Sequence, residues 1–267
     1  VIHTRRFGQP EGLPSVLVHC FLGHAGTWRP LVERITPPLD ALAFDMPGHG
    51  RSPMPEGPCD LQAEVAGVIE GFVSEPSLLI GHSFGAVSAL RFALYNPERV
   101  LGLVLIEPVL IAAALADPAY TPEPEEPRYS VLAREGAYEA AAQDFFTFND
   151  PSRDWDALPE AARKTMARQM RLVAATEPGA VQDSGKLLVP GLMEGFTPPV
   201  LLIGGDRSPA VFPAILKALN KRFTAPRSAT IAGAGHMVPL THLDETSAVI
   251  SRWLAEKVLV GDAAAGI

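Results

Sequence analysis

Acyl-transfer chemistry needs a nucleophilic hydroxyl, a base to deprotonate it and a carboxylate to orient that base, and this chain offers all three in separate stretches. The hydroxyl is Ser83, inside Gly81-His82-Ser83-Phe84-Gly85. Taken alone the pattern is weak, since about one chain of this length in ten would carry it by accident. Its surroundings strengthen it. Ser77 to Ile80 reads as a short buried strand, and Phe84 to Tyr95 has helical spacing until Asn96-Pro97 stops it. A serine at such a sharp strand-to-helix turn has its hydroxyl pushed clear of the sheet, a placement suited to attack. The bland alternative is a serine that only caps a helix N-terminus.

The base candidate is His236, in Gly233-Ala234-Gly235-His236, just beyond an apolar segment over Ala229 to Ala232. A loop histidine among small residues can turn its ring toward a neighbouring strand end, whereas a core histidine usually lies inside an apolar periodic run. Two carboxylates compete for the third place. Asp206 follows the buried strand Val200 to Ile203, and Glu107 ends the strand Leu101 to Ile106. Asp206 also has a structural reading, because Ser208-Pro209 opens a helix to about Asn220 and an upstream acid favours such an N-terminus. The chain order Ser, Asp, His places Asp206 first and Glu107 second.

With two further motifs the chain resembles the α/β-hydrolase family over nearly its whole length. Val16-Leu17-Val18-His19-Cys20-Phe21-Leu22-Gly23 is similar to the family's His-Gly loop after an early strand, and Asp45-Met46-Pro47-Gly48-His49-Gly50-Arg51-Ser52 to its Asp-x-Pro-Gly-His-Gly-x-Ser turn. The resemblance implies an oxyanion hole made by the backbone amides of Phe21 and Phe84, which would meet the charge of a tetrahedral intermediate. Cys20 stands where the family usually has glycine and reads as a small buried thiol near the acyl pocket. The resemblance further implies a serine hydrolase of carboxylic esters or lactones. A carbon–carbon bond hydrolase of ring-cleavage diketones, using the same triad, and a non-catalytic binding member of the fold are the alternatives. Lyases of menaquinone synthesis rank low, because they usually carry an arginine shortly after the elbow, where this chain has Ala86 and Val87.

The remaining conspicuous residues read as scaffold or pocket wall. His49 ties a turn together, while His19, Cys20, His24, His82, Glu107, Phe145 and Phe146 are candidates for the pocket lining. No His/Cys/Asp/Glu cluster has ligand-like spacing, so neither metal nor other cofactor is expected. Net charge of −8 opposes nucleic-acid binding, and no apolar stretch reaches the roughly 18 residues of a membrane span. Two cysteines are too few for a disulfide framework, which with the absence of a signal-like N-terminus makes the cytoplasm the expected compartment. The expected partner is a small-molecule substrate, and the expected state a monomer or homodimer.

Positioning these groups requires alternating strands and helices, hence an α/β fold with a mostly parallel twisted sheet covered on both faces. Strand candidates are Ile2 to Arg6, Val16 to His19, Ala41 to Asp45, Leu78 to Ile80, Leu101 to Ile106, Val200 to Ile203 and Ala229 to Ala232. Ligands collect beyond the carboxyl ends of such strands, where Ser83, Asp206, His236 and the Phe21 loop all fall. Between Pro108 and about Thr197 the alternation stops, and helical segments appear around Ser130 to Phe148 and Leu158 to Thr176. Residues 1–108 and 197–267 are thus expected to form the core and 109–196 an inserted helical cap. On the second cap segment Lys164, Arg168 and Arg171 form a basic row, read as a solvated face in preference to a seat for an anionic substrate end.

Overall fold

The computed structural model describes residues 1–151 and 153–258. The expected core stretch beyond 258 lies outside the described residues. Seven strands form one sheet: β1 (Thr4–Gly8), β2 (Leu13–Val18), β3 (Leu39–Phe44), β4 (Ser77–His82), β5 (Val100–Ile106), β6 (Val200–Gly205) and β7 (Arg227–Ile231). Their lateral order is β1-β3-β2-β4-β5-β6-β7. Only β1 runs antiparallel, against β3; every other pairing is parallel. All seven expected strands are present, with ends shifted by up to three residues, as happens where flanking turn residues rather than apolar pattern decide where pairing stops.

Parallel strands buried on both faces need apolar residues at every position. The central strands supply them, and their two-residue alternation sorts them between two cores. Leu79 of β4, Leu103 and Leu105 of β5 and Leu202 of β6 face one side, with α1 (Leu61–Phe72) and α2 (Phe84–Tyr95). Leu78, Ile80, Val104, Ile106, Leu201 and Ile203 face the other, toward Trp28, Leu31 and the C-terminal helix that carries Ile250 and Trp253. The Asp60 side chain accepts from Ala63 N–H at the head of α1, and Leu61, Val65 and Ile69 form its buried stripe at helical spacing.

Between β5 and β6 the described residues contain helices and no strand: a short turn at Ile111–Leu115, then α3 (Arg128–Arg134), α4 (Tyr138–Asn149), α5 (Glu160–Gln169) and α6 (Val173–Ala180). The first expected segment is split into α3 and α4 by Gly136, whose φ of +80° belongs to the left-handed region open to glycine. The second is interrupted by a tighter turn over Met170–Leu172. Past β6 come α7 (Val211–Arg222) and, at the end, α8 (Leu243–Trp253). The far end of the insertion is bound to the core by polar contacts. Asp60 accepts from Arg91 at 2.8 Å and from Ser184 at 2.6 Å, and Tyr95 donates to the Gly185 carbonyl at 2.8 Å.

Candidate active site

Ser83 follows the last residue of β4 and precedes the first of α2, with φ +58° and ψ −121°. That conformation costs on the order of 1–3 kcal/mol for a non-glycine residue and persists only where its surroundings impose it. They do so here by close packing. A Cβ at Gly85 would lie 2.3 Å from the Val18 carbonyl oxygen and 2.4 Å from that of His19, so α2 starts against the end of β2 only because position 85 has no side chain. Gly85→Ala should therefore lower stability by about 3 kcal/mol, read from the midpoint of denaturant unfolding. Among the described residues, three of the five non-glycine residues with positive φ lie around this site: Leu22, Ser83 and Glu107. The strain is concentrated where chemistry is expected.

The Ser83 hydroxyl lies 2.9 Å from Nε2 of His236, and Nδ1 of His236 lies 3.1 Å from Oε2 of Glu107. A carboxylate can only accept, so Nδ1 carries the proton and Nε2 presents its lone pair to the hydroxyl. The other Glu107 oxygen, Oε1, accepts from Gly205 N–H at 2.8 Å. Glu107 is wholly buried, and Ser83 and His236 are 3% and 2% exposed. Burial holds the His236 imidazole down to about 3 and pushes the Glu107 carboxyl up to about 7, opposed there by the Gly205 hydrogen bond. The main chain stitches the same strands: Ser83 N–H donates to the Ile106 carbonyl, and Val109 N–H to the Ser83 carbonyl.

The expectation that Asp206 orients the histidine is corrected. Asp206 is exposed, and its Oδ1 accepts from Gly233 N–H at 2.7 Å, fastening the start of the His236 loop instead. The reason is lateral position. β5 is the direct neighbour of β4, whereas β6 is one strand further, about 4.8 Å, from Ser83. From β5 the longer glutamate spans the gap to the imidazole.

Phe212, in the first turn of α7, stacks on the His236 ring with centroids 4.1 Å apart and 27° between planes. Nothing in the sequence separates it from an ordinary core aromatic. His19 is also structural: Met46 N–H donates to its Nε2 at 2.9 Å, and its Nδ1 donates to the Cys20 carbonyl at 2.7 Å, fixing the Phe21 loop to the end of β3. Asp45 closes the neighbouring turn by accepting from Ala25 and Arg51 N–H. His49, as expected, ties its turn through the Pro47 carbonyl.

A chamber of about 190 Å³ lies between insertion and core. Its wall includes Cys20, Phe21, Phe145, Phe146, Met166 and Met237, with His24 and Arg153 adding polar groups. Four of the seven lining candidates, Cys20, His24, Phe145 and Phe146, are thus on the wall, while His19, His82 and Glu107 are not, being held within the scaffold by their hydrogen bonds. Burial pushes the Cys20 thiol up to about 12, which keeps it protonated and unreactive. Of the basic row, Lys164 pairs with Glu160, Arg171 lies over the Tyr138 ring, and Arg168 is exposed. That is a solvated face. Among the described residues no group of three or more His, Cys, Asp or Glu side chains is arranged to hold a metal ion, and no helix is long and apolar enough to cross a membrane.

The chain is 28% identical to pimeloyl-[acyl-carrier protein] methyl ester esterase of Xanthomonas campestris, over 92% of this chain and 96% of that protein. It is 33% identical to the lipase LipV of Mycobacterium tuberculosis over 48% of this chain and 52% of the other. Among solved structures, an alpha/beta hydrolase from Sphaerobacter thermophilus superposes with a TM-score of 0.70 at 22% identity, covering 95% of this chain and 96% of that one. Carboxylesterase CesB from Bacillus subtilis gives 0.67 at 19% identity, covering 97% and 88%. The profile described as "Alpha/beta hydrolase family" matches residues 16–249, and the chain belongs to that family.

Proposed function

We propose that this protein hydrolyses carboxylic esters through an acyl-enzyme on Ser83, with His236 as base and Glu107 as the acid that orients it. The observation that carries the reading is the unbroken line of hydrogen bonds from the Ser83 hydroxyl through both His236 nitrogens to the Glu107 carboxylate, all of it buried. The Ser83 oxygen attacks the ester carbonyl while its proton passes to His236 Nε2. Glu107 stabilises the imidazolium, and the tetrahedral oxyanion meets the amides of Phe21 and Phe84. Phe84 N–H, at the first helical position, has no acceptor inside α2. Among the described residues Phe21 N–H has no backbone acceptor either. As the intermediate collapses, His236 delivers its proton to the leaving alkoxide and the alcohol departs. Water, deprotonated by the same nitrogen, then releases the carboxylic acid.

The similarity to an acyl methyl ester esterase supports an ester in preference to a ring-cleavage diketone. The insertion serves as the cap of this site, its phenylalanines and Met166 facing a compact, largely apolar group of the substrate. Because Ser83 is 3% exposed, substrate reaches it only when cap or loop moves aside.

A fluorophosphonate probe should label Ser83, identified by peptide mass, and a panel of short and long acyl esters, lactones and ring-cleavage diketones should show ester turnover favouring short acyl chains. No adduct on the folded protein would establish a binding member of the fold, and turnover confined to diketones would establish the carbon–carbon hydrolase. The pH profile is a separate check. Activity needs an ionised Glu107 and a neutral His236, and burial raises the first and lowers the second. A proton taken up by this buried pair removes the free base, so kcat/KM should be full above about pH 7 and fall as pH drops through that value.

A further inference from the structure

His82, immediately before the nucleophile, has its Nε2 2.9 Å from the main-chain carbonyl oxygen of His236, a residue 154 positions away. A carbonyl only accepts, so the ring donates through Nε2–H. Both residues are 2% exposed, their ring centroids are 5.3 Å apart, and Phe212 covers His236 at 4.1 Å. Burial holds His82 down to about 3, so the ring stays neutral, with one proton to give.

The glycines of the loop leave its backbone with little conformational preference of its own. Gly233 and Gly235 flank Ala234, and Gly233 has φ +77°. Separate hydrogen bonds pin it: Gly233 N–H to Asp206 Oδ1, Arg207 N–H to the Ala234 carbonyl, and His82 Nε2–H to the His236 carbonyl. The first two fasten the approach to the base, and the third holds the base's own peptide. Since His82 and Ser83 share a peptide bond, the anchor of the base and the nucleophile sit on one rigid strand end.

We propose that His82 is a positioning residue, whose ring N–H sets the distance and direction of the His236 imidazole from the Ser83 hydroxyl by holding the His236 carbonyl. The inference rests on the ester-hydrolase reading above. A misplacement of about 1 Å at a reacting group can cost on the order of 100-fold in rate. His82→Phe keeps a ring of similar shape and removes the donor, and it should lower kcat by about 30- to 100-fold with KM changed less than about twofold. His82→Gln places an amide N–H near the same point and should recover kcat to within about fivefold of the unmodified protein. The rate of fluorophosphonate labelling should fall in parallel with kcat. In a His236→Ala background His82→Phe should have no further effect, because its influence passes through the imidazole.

If phenylalanine prevents folding, judged by thermal unfolding, His82→Asn, whose amide stops short of the carbonyl, takes its place with the same expected loss. Unchanged kcat in the donor-less variant, a glutamine variant as impaired as it, or losses that multiply with His236→Ala would each overturn the proposal. Retained esterase activity in His236→Ala alone would instead overturn the hydrolase reading, so the two failures are distinct.

Discussion

Glu107→Gln is expected to lower kcat by about 10³- to 10⁴-fold, whereas Asp206→Asn should cost less than about fivefold. The size of the first effect follows from counting donors. Both oxygens of Glu107 accept, one from Gly205 N–H and one from His236 Nδ1–H. Glutamine offers one acceptor and one donor group. If its oxygen faces Gly205, its NH₂ meets Nδ1 and drives the imidazole into the tautomer with hydrogen on Nε2, which cannot accept the Ser83 proton. If it is turned round, a buried backbone N–H is left without a partner, at about 1–3 kcal/mol, and the imidazolium loses its counter-charge. Among the described residues Asp206 accepts only from the Gly233 amide at the loop's start, and asparagine keeps an oxygen that can accept there. Steady-state kinetics on a short acyl ester decide it, and a larger loss from Asp206→Asn would return the orienting role to that residue.

Ser83→Ala and His236→Ala should each remove about 10⁵- to 10⁶-fold of kcat, and the double variant should be little worse than either. The losses do not add because the hydroxyl and the imidazole act as one unit: without the base the hydroxyl is not activated, and without the hydroxyl the base has nothing to activate. What survives would come from the Phe21 and Phe84 amides and from binding alone. Multiplicative losses in the double variant would mean that the 2.9 Å contact between the two side chains is not the catalytic one.

The meeting of Ser83 and His236 was legible in the sequence because the signals on each side are local. A strand, a two-glycine turn and a helix within about twenty residues place Ser83, and a strand followed by a glycine-rich loop places His236. Which carboxylate meets His236 was not, although both candidates ended strands as expected. Choosing between Glu107 and Asp206 needs the lateral order of β5 and β6 and the reach of each side chain, and neither is written in chain order. The same holds for the Phe212 platform and for the contact between His82 and His236, which arises only once β7 has taken its place at the sheet edge. Both helical segments of the insertion were legible in the sequence, but the Gly136 break inside the first was not.

Glu107 stands directly before Pro108, at the upstream root of the helical insertion, and Val109 still donates to the Ser83 carbonyl. Exchanging that insertion for one from another family member is therefore an asymmetric graft. Its downstream suture has latitude up to β6, since the segment there carries none of the reacting groups. The upstream suture must fall beyond Val109, because a chimera joined any earlier would inherit a foreign backbone at Glu107, the residue that meets Nδ1 of His236.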